Sequence, residues 1–271
     1  MHVHTRASDG LLKPEKMVKR AHKAGLAAIA ISDHDTVAGV EPAIWEAKKY
    51  NIEIIPAIEL SCGFNKHEIH MLGYYVDWQS EWFKKKLSVF QEVRRERAKK
   101  MIEKLRKLGI TTPYNLIIAL NGGVIGRPHI ARALLERGYI KTFQEAFDRY
   151  LRAGKPAYVS KYPLTVIEAI KLIRRAGGLP VLAHPVWAHA DKMLPEMVEA
   201  GLGGLEVYHT DHDAETSKHY RKLAKKYGLL MTGGSDSHGA EDVPVGYVRV
   251  PYSLVEKVKN SLSKSREIKA K

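Results

Sequence analysis

Hydrophobic and polar positions follow a repeating order along most of the chain: an amphipathic helix, a small residue with glycine, and a short apolar strand. The repeat is seen before residues 29–31, 181–183, 205–207 and 229–231, each of which follows a glycine. Glycine just after a helix favours the left-handed backbone that ends it, and strands buried on both faces are continuously apolar. Alternating helices and strands therefore predict an α/β fold built on a parallel sheet.

The pattern changes in the middle of the chain, where strands of this kind are missing. Residues 82–108 are rich in charge, with apolar residues at helical spacing, and shorter helices are predicted over residues 113–120, 128–137 and 143–151. This stretch is expected to be entirely α-helical.

The change of pattern predicts a division of the chain. We expect residues 1–80 and 155–271 to form one barrel-like domain, with residues 81–154 inserted as a helical subdomain. Because the insertion follows the strand that carries His70, we expect it to lie over the mouth of the barrel.

Histidine and carboxylate residues close six short segments, most of which follow an apolar run. The residues are His2, His4, His34, Glu59, His70, His184, Asp236 and His238. Side chains at the carboxyl ends of barrel strands converge at one mouth. With Asp9, in the loop after His4, about nine nitrogen and oxygen ligands in one place would hold more than one metal ion.

The opening segment has chelating geometry of its own. His2 and His4 alternate with Val3, so on a strand both imidazoles point to one side. Asp9 lies in the loop just beyond, where its carboxylate can reach the same mouth. Nitrogen and oxygen ligands without thiolate suit Mn²⁺, Fe²⁺ or Zn²⁺, and so many imidazoles argue against Mg²⁺ alone.

The composition indicates the compartment in which the protein occurs and the kind of partner it binds. The 271 residues include one cysteine, Cys62, which excludes an internal disulfide and fits a reducing compartment. Neither a signal peptide nor a long apolar span is visible, so a cytoplasmic protein without membrane contact is expected. The formal charge of +14 favours an anionic partner, although lysine and arginine on solvated helix faces explain it nearly as well.

Taken together, the motifs resemble those of the PHP (polymerase and histidinol phosphatase) superfamily over nearly the whole chain. They are Met1-His2-Val3-His4-Thr5, Ser32-Asp33-His34-Asp35, Ala57-Ile58-Glu59, Glu68-Ile69-His70, Ala183-His184-Pro185 and Gly234-Ser235-Asp236-Ser237-His238. The resemblance implies a distorted (β/α)7 barrel with a trinuclear metal centre that hydrolyses phosphoesters. The segment Gly126-Arg127-Pro128-His129 is similar to the branch of nucleotide 3′,5′-bisphosphate phosphatases and RNA 5′-to-3′ exonucleases.

The resemblance also implies how the ligands are shared among three divalent ions, with Mn²⁺ expected first and Fe²⁺ or Zn²⁺ as alternatives. One ion would lie among His2, His4, Glu59 and Asp236, a second would share Glu59 with His70 and His184, and a third would lie among Asp9, His34 and His238. A hydroxide shared between metals would attack phosphorus.

One position departs from the family pattern. Members usually carry aspartate directly before the first histidine, where this chain has Met1. Either the recorded start lies downstream of the true one, or the first strand is unusually short. The departure leaves open what supports the metal ligands His2 and His4.

Candidate substrate-binding residues follow from position and from the resemblance. Arg127 and His129 flank a proline that can start a helix, where an anion is favoured, and Lys155 lies where the insertion returns to the barrel. His209 and His212 follow a strand end and are candidates for substrate contact or proton transfer. Each of these residues could instead be an ordinary surface or loop residue.

The leading hypothesis is a metal-dependent phosphoesterase that cleaves a phosphate monoester or diester of a nucleotide 3′,5′-bisphosphate or of a short RNA 5′ end. A histidinol-phosphatase-like enzyme is disfavoured by the helical insertion, and an amidohydrolase-type enzyme by the ligand order. A non-catalytic nucleic-acid-binding PHP module is disfavoured because all nine ligand candidates are kept. No obligatory protein partner is inferred.

Overall fold

The computed structural model describes residues 1–64, 67–112, 114, 117, 123–160, 164–188 and 190–270. Six strands follow one another through a single curved sheet in chain order. They are β1 (Ala28–Ile31), β2 (Glu53–Phe64), β3 (His67–Tyr74), β4 (Leu179–Leu182), β5 (Gly204–His209) and β6 (Leu230–Gly234).

The segment around Val3 closes this sheet. Val3 pairs in parallel with Ile31 beyond one edge and with Ser237 beyond the other. It therefore takes the place of a seventh strand, and its side chain is 3% exposed. A closed seven-stranded arrangement is the distorted (β/α)7 barrel that the family resemblance implies.

The direction of β3 corrects the expectation of a wholly parallel sheet. β1 pairs with β2 in parallel, as do β4 with β5 and β5 with β6. In contrast, β3 is antiparallel to both β2 and β4. Only two residues separate β2 from β3 in the sequence, too few for the crossover that a parallel pair needs. His70 reaches the mouth because it lies near the start of this reversed strand rather than at a carboxyl end.

Helices cover the outside of the sheet and fill the region between β3 and β4. They are α1 (Pro14–Lys23), α2 (Val40–Ala47), α3 (Glu81–Lys107), α4 (Arg127–Glu136), α5 (Phe143–Ala146), α6 (Val166–Arg175), α7 (Pro185–Ala188), α8 (Leu194–Glu199), α9 (Ala214–Lys226) and α10 (Tyr252–Ala270). A π-helical turn, Phe147–Leu151, continues α5, and a 3-10 turn, Ala190–Met193, precedes α8. None of the helices in the described part of the chain is long and apolar enough to cross a membrane.

The helices after β3 agree with the predicted spacing. α3 and α4 each begin one residue earlier than predicted and end one residue earlier, and α5 with its π-helical turn covers residues 143–151. The predicted helix over residues 113–120 lies mostly outside the described residues.

The helix α3 packs against two separate hydrophobic clusters. Phe83, Leu87 and Phe90 belong to the cluster of the barrel, whereas Met101 and Leu105 belong to one formed with α4 and its neighbours. The division into residues 1–80 with 155–271 and an insertion at 81–154 stays a prediction.

Direct contacts join these helices to the loops at one end of the barrel. The guanidinium of Arg132 donates to the carbonyl of Asp9 at 2.7 Å, and the Val124 N–H donates to the carbonyl of Ala7 at 3.0 Å. Arg94 donates to the carboxylate of Asp35. The helices therefore lie next to the loops in which several candidate ligands occur.

Candidate metal centre

A single buried carboxylate, Glu59, lies at the centre of the candidate ligands. Its Oε2 atom is 3.1 Å from His4 Nε2, 3.1 Å from His34 Nδ1 and 3.4 Å from His2 Nε2. Glu59 is 1% exposed, and the histidines at positions 2 and 4 are fully buried. One oxygen thus faces three imidazole nitrogens.

The other oxygen of Glu59 faces a second pair of imidazoles. Oε1 is 3.0 Å from His70 Nδ1 and 3.2 Å from His184 Nε2. The two rings also approach each other, with 3.2 Å between His70 Nδ1 and His184 Nε2. A carboxylate with separate ligands on each oxygen is suited to bridging two cations.

Three groups of side chains have ligand atoms within 4.8 Å of one another and could each hold a metal ion. These groups are His2 with His4, Glu59 and Asp236; His34 with Glu59 and His70; and His4 with Asp9, His34 and His238. All nine predicted ligands therefore converge at one place, since His184 contacts Glu59 and His70.

Two of the ligands have backbone conformations that are rare for residues other than glycine. His184, just beyond β4, has a φ of 26°, and Asp236, just beyond β6, has a φ of 50°. Such conformations cost of the order of 1 kcal/mol or more each and are common at functional sites. Gly234, two residues before Asp236, is also required, because a Cβ atom there would lie 2.5 Å from the Cβ of His2.

The support of His2 comes from Glu206 in the middle of β5. His2 Nδ1 lies 3.1 Å from Glu206 Oε1, and the backbone N–H of His184 donates to Glu206 Oε2 at 3.0 Å. The sequence left open what supports His2, because Met1 stands where family members usually carry aspartate. In the structure, a buried carboxylate on another strand orients His2. The sequence signal was a glutamate within an apolar strand, Leu205-Glu206-Val207.

Burial and mutual attraction set the charges of the site in the absence of a cation. Burial alone would lower the pKa of His2, but Glu206, Asp236 and Glu59 outweigh it and raise the pKa to about 10. Burial would likewise raise the pKa of Glu59, but the surrounding histidines hold it well below its usual range. The carboxylate is therefore ionised at neutral pH.

The pKa of His34 shifts in the opposite direction to that of His2. Burial lowers the pKa of His34 to about 3, although Glu59 and Asp9 favour the charged form. A neutral imidazole is the form that binds a metal ion, so His34 is already in its ligating state.

Several buried nitrogen and oxygen atoms of the candidate ligands are available to bind cations. His4 Nδ1, His34 Nδ1 and Asp236 Oδ1 are buried without a hydrogen-bond partner among the described residues. A buried polar atom left unpaired costs about 1–3 kcal/mol. Cations among these nitrogen and oxygen atoms would remove that cost, and the donor set suits Mn²⁺, Fe²⁺ or Zn²⁺.

A cavity of about 250 Å³ opens above these ligands. Its lining includes the ligands Asp9, His34, His70, His184, Asp236 and His238, together with Ser61, Glu68, Arg94, Arg97, Arg127, Pro128, Phe147, Trp187, His209 and Asp211. Trp187 is 64% exposed, and its indole N–H donates to Asp211 at 3.1 Å. One side of the cavity is thus cationic, and its lining also includes an exposed aromatic surface.

Two of the predicted substrate-binding residues line this cavity. Arg127 begins α4, and its guanidinium donates to Glu68 Oε2 at 2.7 Å. His209 ends β5, and its Nδ1 accepts from the Asp211 N–H at 3.2 Å. Its Nε2 lies 3.8 Å from Asp236 Oδ2 and has no hydrogen-bond partner among the described residues.

The other three predicted residues lie elsewhere in the described structure. His129 is 1% exposed; its Nδ1 accepts from the Gly126 N–H, and its Nε2 lies 3.1 Å from the Ser8 carbonyl. Lys155 is exposed on a turn after the π-helical segment. The ring of His212 stacks on Tyr220. These positions do not favour direct substrate contact, and His129 instead connects the start of α4 to the loop that carries Asp9.

Arg94 and Arg97 line the cavity but were not predicted from the sequence, where they belonged to a basic run interpreted as a solvated face. They are only 8% and 7% exposed. Their positions continue the buried stripe from Phe90 to Met101 at helical spacing, which was the signal that could have revealed them.

Comparison with known proteins identifies the family. The sequence model of the PHP domain matches residues 1–159, and that of a PHP-associated region matches residues 219–266. The chain belongs to the PHP family. This confirms the resemblance found in the sequence.

PHP relatives are similar over almost the full chain. A 5′-3′ exoribonuclease of Haemophilus influenzae is 32% identical over 94% of this chain and 93% of its own length. A 3′,5′-nucleoside bisphosphate phosphatase of Chromobacterium violaceum is 32% identical over 90% of this chain and 89% of its own.

A crystal structure from Bifidobacterium adolescentis, assigned to the metal-dependent phosphoesterases, has the same architecture. It is 30% identical, aligns with a TM-score of 0.88, and covers 95% of this chain and 93% of the other. The predicted fold class is thereby confirmed.

Proposed function

We propose that this PHP protein is a metal-dependent phosphoesterase that acts on nucleotide 3′,5′-bisphosphates or on the 5′ end of short RNA. The observation that carries the proposal is the convergence of nine nitrogen and oxygen ligands at the base of a cavity with three arginines in its lining. Relatives named as a bisphosphate phosphatase and as an exoribonuclease support the same substrate class.

The ligands would hold up to three divalent ions, for which Mn²⁺ is proposed, with Fe²⁺ and Zn²⁺ as alternatives. When bound, such ions activate water and neutralise charge on a phosphate. The proposed ligands are His2, His4, Asp9, His34, Glu59, His70, His184, Asp236 and His238.

The protein's own residues position the substrate and move a proton. Arg127 would bind the phosphate that is not cleaved, because a guanidinium matches two phosphate oxygens. His209 lines the cavity, with its Nε2 atom 3.8 Å from Asp236 Oδ2, and in its protonated form it can donate to the leaving oxygen. Trp187 supplies a flat surface on which a nucleobase can stack.

The test is a substrate screen with protein loaded separately with Mn²⁺, Fe²⁺ and Zn²⁺. Its members are nucleoside 3′,5′-bisphosphates, mononucleotides, 5′-phosphorylated short RNA, ribose phosphate and histidinol phosphate. Phosphate release from bisphosphates, or mononucleotide release from RNA, is the expected result. Turnover confined to histidinol phosphate, or no turnover with any metal, would refute the proposal.

A further inference from the structure

Four carboxylates line the cavity, and only one of them has neither a candidate metal nor an arginine as its partner among the described residues. Asp9 and Asp236 are candidate metal ligands, and Glu68 accepts from the guanidinium of Arg127 at 2.7 Å. The fourth is Asp211, in the loop after β5. A carboxylate repels phosphate. Asp211 is therefore expected to face a part of the substrate that carries no negative charge.

Two neighbours hold the carboxylate of Asp211 in place. Its Oδ2 atom accepts from the indole N–H of Trp187 at 3.1 Å and lies 3.5 Å from Nδ1 of His209. The Oδ1 atom has no hydrogen bond or ion pair in the part of the chain that the structure describes, and the side chain is 48% exposed. A carboxylate oxygen accepts hydrogen bonds and does not donate them. Asp211 thus offers one fixed, free acceptor in the lining of the cavity.

Trp187, Asp211 and His209 follow one another from the exposed rim of the cavity towards the metal centre. Trp187 is 64% exposed, whereas His209 is 5% exposed, with Nε2 3.8 Å from Oδ2 of Asp236. Asp211 contacts both rings and lies between them.

A nucleotide has its parts in the same order, with the sugar between the base and the phosphate. A base can stack on the indole of Trp187, since every nucleobase has an aromatic face. If the phosphate to be cleaved lies at the metal centre, the sugar of that nucleotide comes to lie beside Asp211.

The sugar of the proposed substrates has one free hydroxyl. In a nucleoside 3′,5′-bisphosphate the 3′- and 5′-oxygens carry phosphate, which leaves the 2′-hydroxyl, and the same holds within an RNA chain. A hydroxyl is a neutral donor that matches an acceptor-only carboxylate. Carboxylates bind the ribose 2′-hydroxyl in this way in dinucleotide-binding folds, and the 2′-hydroxyl is the group that distinguishes RNA from DNA.

We infer that Asp211 is a specificity-determining residue whose carboxylate accepts a hydrogen bond from the 2′-hydroxyl of the substrate, so that ribonucleotides are selected over deoxyribonucleotides. The inference rests on the proposed function for the class of substrate. The indole N–H of Trp187 already orders the side chain of Asp211. Little conformational freedom is therefore lost when the hydroxyl binds.

The experiment measures kcat/KM of the Mn²⁺-loaded protein for adenosine 3′,5′-bisphosphate and for its 2′-deoxy analogue. The wild type should favour the ribonucleotide about 5- to 20-fold, as expected for a hydrogen bond to a half-exposed charged group. Asp211→Ala should bring the ratio of the two constants close to one. Asp211→Asn keeps an acceptor oxygen without the charge and should give an intermediate ratio.

The ratio separates recognition of the hydroxyl from other effects of the substitution. Loss of the hydrogen bond from Trp187 in Asp211→Ala affects both nucleotides alike and cancels in the ratio. The hydrogen bond to Nδ1 of His209 comes from the backbone N–H of Asp211, so it is kept in every variant.

Glu215→Gln is the matched control for Asp211→Asn, because it also replaces a carboxylate with an amide. Glu215 is on α9, its side chain is 82% exposed, and it pairs with Lys218. Glu215→Gln should keep the wild-type ratio. Thermal unfolding of each variant reveals a folding defect, and Asp211→Asn decides the question if Asp211→Ala does not fold.

A wild-type ratio near one, or a ratio that Asp211→Ala and Asp211→Asn leave unchanged, would overturn the inference. So would an altered preference between adenosine and uridine bisphosphates at an unchanged ratio, since Asp211 would then contact the base. The proposed function fails in a different way, because the wild type would cleave neither bisphosphate. In that case calorimetric titration with the same two nucleotides decides the inference, since the ratio of their Kd values should show the same preference and the same dependence on Asp211.

Discussion

His2 Nδ1 lies 3.1 Å from Oε1 of Glu206, and both side chains are fully buried. The carboxylate accepts the proton on Nδ1, which leaves Nε2 of His2 directed at Glu59 and Asp236. A partner of this kind fixes the tautomer and the orientation of a metal-binding histidine.

Replacing Glu206 should therefore weaken metal binding without removing a ligand. We expect Glu206→Gln to lower metal affinity about 10- to 100-fold, as is typical for an outer partner of a ligating histidine. Metal content after dialysis against buffers of fixed free Mn²⁺ measures the effect. Glu199→Gln, at an exposed position, is the control. Unchanged metal content in Glu206→Gln would show that the hydrogen bond does not support the centre.

Substitution of Glu59 should reduce metal content and activity more than substitution of any other single candidate ligand. Glu59 contacts ligands through both oxygens, so Glu59→Ala should remove metal from two groups and leave the group of His4, Asp9, His34 and His238. Elemental analysis should show a lower metal-to-protein ratio, and activity should fall by more than the roughly 100-fold typical of an outer partner. Wild-type metal content and activity would contradict a bridging role.

The convergence of the candidate ligands could be predicted from the sequence because most of them follow apolar strands. His34, His184 and Asp236 lie just beyond β1, β4 and β6, where a barrel directs side chains to one mouth. The apolar runs were sufficient to place these candidates at one mouth, whereas their division among three metal ions came from the family resemblance and stays a proposal.

Other features depend on contacts that periodicity does not encode. The reversed direction of β3 depends on its pairing with both β2 and β4. Arg97 belongs to a basic run, and only the packing of α3 over the mouth shows which of its arginines are buried. His129 was predicted to contact substrate, but its ring nitrogens are engaged by backbone groups.

Arg127→Ala should affect substrates with two phosphates selectively. Loss of a charge-assisted phosphate contact costs roughly 1.5–3 kcal/mol, or about 10- to 150-fold in kcat/KM for a bisphosphate. An aryl phosphate has no second phosphate and should change far less. Arg137→Ala, at the exposed end of α4, serves as the control. An equal drop on both substrates would mean that Arg127 supports the metal centre or the fold.

Protonation of His129 should destabilise the protein in acid. Burial lowers its pKa from 6.5 to about 4, so the stabilising effect of the neutral ring is fully present above pH 6.5. This stabilisation is lost as the pH falls towards 4, and the loss of unfolding free energy at pH 4 is about 3 kcal/mol. Denaturant unfolding between pH 7 and 4 should show a shallower pH dependence for His129→Asn than for wild type.

The control for this pH effect is His22→Gln, because His22 is exposed on α1. Its unfolding free energy should follow the wild-type pH dependence. If His129→Asn has the wild-type slope as well, another group accounts for the acid sensitivity.

The pairing of Val3 with Ser237 has a consequence for biosynthesis. The first ligands to leave the ribosome, His2 and His4, find Asp236 only after almost the whole chain has been made. At roughly 5–20 residues per second, that interval is of the order of ten to fifty seconds. Because Asp236 belongs to the same group as His2, His4 and Glu59, that group cannot be complete before nearly the end of synthesis.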